Sequence, residues 1–208
     1  MSASDAYVEW WAVGMDPVVM LDRLLDAGLW TAREARSGPV DVLDAVGESI
    51  PTSLPEFRDV LRLADQRLTF ERWFDDGENL IVSRRRALVG DERRVVDCAT
   101  CYLDAFSPDR FDQIVEAMAS LVTDFPDRTV AWVLDGSNDT AAFDWAPVAG
   151  GAPVAAPWAP VVVTRAGSPV TAPGRDWAEG VPAPGLRSTG WPVVEGGDPV
   201  SWYWWCRR

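Results

Sequence analysis

Two arrangements in this chain hold residue types that do chemistry. Cys98 and Cys101 have a C-x-x-C spacing, and Arg84, Arg85 and Arg86 stand in succession just before them. Paired thiolates hold metals or exchange electrons, and arginine forks grip carboxylates and phosphates at two points. Neither arrangement has much support nearby. The chain has no histidine, and all 19 basic residues are arginine, so lysine is absent too. Without imidazole there is no Ser-His or Cys-His dyad and no histidine metal ligand. Without lysine there is no Schiff base and no phosphate-loop lysine. Scarce isoleucine and asparagine beside the missing lysine fit GC-rich coding.

Position then decides between readings. The two cysteines fall in a predicted strand, where residues three apart point to opposite faces, so they read as separately buried thiols. Only Cys206 remains as a third sulfur. The residues point to no metal and no cofactor. Arg84, Arg86 and Arg93 are candidates for a partner-carboxylate or anion site, with cross-strand ion pairing as the simpler reading. Residues 135–139, DGSND, follow a strand. A calcium loop starting there needs glycine sixth and glutamate twelfth, but Thr140 and Ala146 stand at those places, so a tight Asp-Gly turn is expected. Other carboxylates (Asp41, Asp44, Glu48, Asp124, Asp127) read as solvated loops.

The elements that must position these groups centre on residues 68–106. Asp76-Gly77 and Gly90-Asp91 split a β-rich run into a three-stranded antiparallel meander. With two-residue loops, Glu71 faces Val82, Thr69 faces Arg84, and Arg84 faces Asp97. One face then carries Trp73, Leu80, Val82, Ala99, Cys101 and Leu103, with Glu71, Arg84 and Asp97 at its end. The other carries Phe70, Phe74, Ile81 and Tyr102 with Arg72 and Arg85, and is too apolar to stay in water.

Around the meander, residues 6–13 read as a strand, and Asp16-Pro17 starts a helix that Gly28 closes. Residues 29–36 suit a strand. Residues 37–54 are compatible with one short amphipathic helix carrying Val42, Leu43 and Val46 inward. Pro55 opens a better helix, with Phe57, Val60, Leu61 and Ala64 on one face. Ser107-Pro108 repeats the cap-and-proline signal before a strong apolar stripe that Pro126 ends, and residues 129–134 read as a central strand. The two β-α-β patterns with antiparallel strands between them predict an α+β fold, a two-layer sandwich of ferredoxin-like type. That domain covers residues 1–139. Residues 140–208 hold 10 of the 16 prolines and 7 of the 12 tryptophans. They read as a Pro/Gly/Trp-rich extension packed on the first domain, with extended pieces near 159–167 and 200–208.

Charge is uneven as well. The net charge of −13 lies wholly in residues 1–139, the extension being neutral. Such a surface repels phosphate backbones and anionic membrane, and speeds encounter with a basic protein. The N-terminus lacks the basic and apolar regions of a signal peptide, which with three unevenly spaced cysteines suggests the cytoplasm. The expectation is therefore an immunity or antitoxin-type inhibitor of a basic toxin or nuclease. Its partner-binding candidates are Asp75, Asp76, Glu78, Asp135, Asp139, Arg84, Arg86 and Arg93. Two alternatives stand beside it: an enzyme using carboxylates and arginines on a sugar or phosphate, and an accessory module gripping a peptide or glycan with the tryptophan-rich extension.

Overall fold

The computed structural model describes residues 6–26, 40–63, 67–74, 77–103, 106–135, 143–155, 161–165, 170–171, 177–179 and 202–207. The strand expected at 29–36 lies outside them, as do Ala64, Asp75, Asp76 and Asp139.

Local chemistry sets the helix starts. Asp16 accepts from the Val18 amide at 2.9 Å, and α1 (Pro17–Asp26) follows with proline first. Ser107 caps α3 (Pro108–Asp124) by accepting from the Arg110 amide, and the helix stops at Phe125, just before Pro126. Ahead of α2 (Leu54–Leu63), Ser53 and Glu56 make a reciprocal capping box, and the Ser53 hydroxyl and amide, both donating to Glu56 Oε2, hold its carboxyl below its ordinary value. Phe57 and Leu61 of α2 are buried, while Val60 faces outward.

Residues 40–52, whose spacing is also compatible with a short helix, form a hairpin of β2 (Val40–Leu43) and β3 (Ser49–Thr52). The Asp44 carboxylate accepts from the amides of Val46 and Glu48, and Gly47 takes φ of 85°. An aspartate turn and a left-handed glycine together close a hairpin that a helix could not accommodate. Val46, expected inward, sits at its exposed tip.

The meander forms as β4 (Leu68–Trp73), β5 (Asn79–Val89) and β6 (Arg94–Tyr102), but its turns differ from expectation. At the first, the Phe74 amide bonds the Glu78 carbonyl, and Gly77 takes φ of 91°. Phe70 therefore faces Val82, and Leu68 faces Arg84. This one-residue slip turns β4 over, since side chains alternate with period two. Phe70, Arg72 and Phe74 are buried on the helix side, and Trp73 is left half exposed. The second turn spans residues 90–93, so Arg84 faces Ala99, and Arg86 faces Asp97. That slip is two residues and leaves every face as expected.

β1 (Tyr7–Val13) pairs antiparallel with β6 on one side and with β7 (Thr129–Asp135) on the other. Every residue of β7 is buried, as a central strand requires. Beyond β7, the extension contributes β9 (Val161–Arg165), β11 (Trp177–Glu179) and β12 (Trp202–Arg207), and a short parallel pair joins β8 (Val154–Ala155) to β10 (Val170–Thr171). The large sheet runs β11-β12-β9-β7-β1-β6-β5-β4-β2-β3, antiparallel throughout. The protein is thus an α+β fold.

Helices α1, α2 and α3 pack on one face, around Val8, Trp10, Phe70, Val82, Ala99, Cys101 and Trp132. The opposite face has a second, smaller core of Trp11, Val96, Cys98, Ala131 and Val133, covered by Trp145 and the short helix α4 (Ala146–Ala149). Cys98 and Cys101 lie in different cores, both free and fully buried. Burial pushes Cys101 up to about 12 and Cys98 also well up, so neither is a ready thiolate.

Candidate functional site

Three consecutive arginines go to two different places because strand side chains alternate. Arg84 and Arg86 turn toward the helices, and Arg85 turns away. Arg84 is fully buried, and its Nε and Nη2 donate to Asp97 Oδ1 at 3.0 and 2.5 Å. Its Nη1 donates to the Leu61 carbonyl, 3.0 Å away in the last turn of α2, where a cation meets the negative end of the helix. Burial pushes the guanidinium below its ordinary value, and Asp97 opposes that shift. Arg86 Nε reaches the same Asp97 oxygen at 3.1 Å. Arg93 lies in the 90–93 turn with φ of 49°, apart from both. The three candidate arginines do not converge; two of them share one carboxylate as part of the core.

The carboxylate candidates scatter similarly. Glu78 is half-buried beside Arg110, whose Nε lies 3.4 Å away, while the Arg110 guanidinium stacks on Phe74 at 3.8 Å. Asp135 is wholly buried at the end of β7 and accepts from the Tyr7 hydroxyl at 3.4 Å.

On the face away from α1, α2 and α3, next to the second core, pairing lines up a polar row that strand patterning alone did not expose. Glu9 of β1 is opposite Thr100 of β6, Thr100 is opposite Ser83 of β5, and Ser83 is opposite Thr69 of β4. Glu9 is only 2% exposed. Its Oε1 accepts from Arg85 Nη2 at 2.7 Å and Thr100 Oγ1 at 2.9 Å, and its Oε2 accepts from Trp11 Nε1 at 2.9 Å. Burial raises its pKa, against the pull of Arg85. The Arg85 guanidinium also lies 4.9 Å from the Trp11 ring centre. Arg67, just before β4, donates to Ser83 Oγ at 3.0 Å and to the Tyr102 hydroxyl at 3.2 Å. Apart from Thr69 and Trp11, these side chains, together with Tyr7, line a pocket of about 70 Å³. The signal in the sequence was Glu9 itself, a lone charge inside the aromatic strand YVEWWAV.

The outer surface of the helix layer is acidic. On α3, Asp109, Asp112 and Glu116 are exposed at helical spacing. Asp22 pairs with Arg58, and Asp124 pairs with Arg23 at 2.5 Å, so these carboxylates tie α1 to α2 and α3. Among the described residues no group of three His, Cys, Asp or Glu side chains is placed to hold a metal ion, and no helix is long and apolar enough to cross a membrane. Compared with known proteins, the chain matches no family model, no curated protein and no solved structure.

Proposed function

We propose that the chain is a cytoplasmic protein-binding protein of the immunity or antitoxin kind, with a basic toxin or nuclease as its partner. The outer face of α3 carries this reading. Asp109, Asp112 and Glu116 project from it at three- and four-residue spacing, with no ion-pair partner among the described residues. Asp26, Glu56 and Asp59 are exposed on the neighbouring helices, on a chain of net charge −13. A basic partner approaching this layer is steered by the summed field, and exposed carboxylates at its rim set the approach.

The fold reading goes with it. The chain order β1-α1, then β5-β6-α3-β7, together with the sheet order β7-β1-β6-β5, supports a ferredoxin-like split β-α-β unit. In that reading β2, β3, α2 and β4 are an insertion after α1, and residues 140–208 are an extension carried by the unit.

The test is co-expression with the basic products of adjacent genes. One of them should be toxic alone and neutralised by this protein, and the association rate should fall steeply as salt rises. If no such product binds, or if binding proceeds at the same rate in low and high salt, the reading is wrong.

A further inference from the structure

Glu9 already has its counter-ion in Arg85. Arg67 has none among the described residues: the groups it touches, Ser83 and Tyr102, are neutral hydroxyls. The pocket therefore holds one positive charge in excess, on a protein whose surface is otherwise strongly acidic. Its hydrogen-bond inventory has the same sign. The Tyr102 hydroxyl accepts from Arg67, which leaves its own proton to donate. Among the described residues, Arg67 Nη1 and the Nε and Nη1 of Arg85 make no hydrogen bond. Glu9, the one carboxylate among the lining side chains, is occupied by three donors. The unused N–H groups of Arg67 and Arg85 and the Tyr102 hydroxyl proton are left to donate to an anion.

From this geometry we propose that the pocket between Arg67, Arg85, Ser83 and Tyr102 binds a carboxylate monoanion. A single excess charge suits a monoanion. A phosphate dianion would meet the Glu9 carboxylate in the floor, with Asp135 behind Tyr7. The pocket is small, about 70 Å³, so the ligand is either a small free acid or the end of a chain lying across the pocket mouth. Glu9 acts as a positioning residue, holding Arg85 over Trp11 in the wall of the pocket.

The indole N–H of Trp11 donates to Glu9 and lies under Arg85, which makes it a built-in reporter. Its NMR resonance, assigned with Trp11→Phe, is followed in the full chain at constant ionic strength. The titrants are sodium acetate, an acetylated dipeptide with a free C-terminus, the amide of that dipeptide, and sodium chloride. A saturable shift with a dissociation constant in the millimolar range is expected for one or both carboxylates, and for neither control. Acetate alone would identify a free acid as the source, and the peptide alone a chain terminus. Arg67→Gln, at an exposed position, should weaken binding about tenfold, and Tyr102→Phe by a smaller factor. The proposal fails if neither carboxylate gives a saturable shift, if the amide binds as well as the acid, or if folded Arg67→Gln binds as tightly as the parent.

Discussion

Replacing Asp97 with asparagine tests how the buried arginine is held. Arg84 has no exposed surface, and two of its nitrogens rest on one Asp97 oxygen. The Asp97→Asn change keeps an acceptor of the same shape but removes the charge, leaving Arg84 and Arg86 with no carboxylate between them. Breaking a buried pair from one side costs about 3–5 kcal/mol. The introduced amide NH2 would take the place of Asp97 Oδ2, a buried atom with no hydrogen-bond partner, and so recovers nothing. Against a total stability of about 5–15 kcal/mol for an ordinary domain, this is a large fraction. Arg84→Met should cost less, about 1–3 kcal/mol, because Asp97 Oδ1 loses two donors but keeps Arg86 at 3.1 Å, and the Leu61 carbonyl, a neutral acceptor, loses one bond. In the double variant Arg84→Met/Asp97→Asn, the one remaining guanidinium, Arg86, has a partly exposed side chain and reaches water. The double variant should therefore be more stable than Asp97→Asn alone. Urea denaturation followed by circular dichroism and tryptophan fluorescence, with an unchanged m-value, measures all four corners of the cycle. If Asp97→Asn costs under about 1 kcal/mol, or if the two single costs simply add, the buried pair is not what holds Arg84.

Three further outcomes follow from the same geometry. Glu9 has a raised pKa in the folded chain, so folding takes up a proton above its ordinary value of 4.5; stability should fall as pH rises from there through the raised value, and Glu9→Gln should flatten that slope in pH-dependent denaturation. In a Cys206→Ser background, a thiol reagent should modify Cys98 and Cys101 no faster than the protein unfolds, since both are buried and Cys101 is pushed up to about 12; rapid labelling of the native state would contradict that packing. Asp112→Arg with Glu116→Arg should slow association with a basic partner about tenfold or more at low salt while leaving the dissociation rate nearly unchanged, and stopped-flow kinetics would show if the loss lies in dissociation instead.

What could be read from the sequence is what neighbouring residues decide between themselves. Asp16-Pro17 and Ser107-Pro108 each satisfy the first orphan amides of a helix within three residues, so both starts were legible. The meander's strand order was legible for the same reason, but its registers were not. Asp76-Gly77 has the composition of a two-residue turn, and the register that Gly77 closes is settled by how Phe74 packs in the core. One residue of difference moved Phe70, Arg72 and Phe74 from one face to the other. At Gly90 the error was two residues, which preserves parity, and the Arg84–Asp97 contact therefore stood although neither residue has the expected partner across the strand. At 40–52, helical spacing of valines competed with Asp44 and Gly47, and turn chemistry won.

The polar row could not be read this way, because it exists only through pairing between distant segments. Glu9 and Thr100 are 91 residues apart and meet only once β1 has inserted between β6 and β7. Its presence needs a reason beyond stability. An apolar side chain at position 9 would extend the second core of Trp11, Cys98 and Val133, and would avoid the cost of burying a carboxylate. Arg85 then would need no anchor, and Thr100 no acceptor. Instead a carboxylate is buried on the central strand, bonded to Thr100 and to an arginine that lines a small pocket. A polar network of this kind specifies geometry at the expense of stability, which is what a recognition pocket requires and what a sheet face covered only for packing does not.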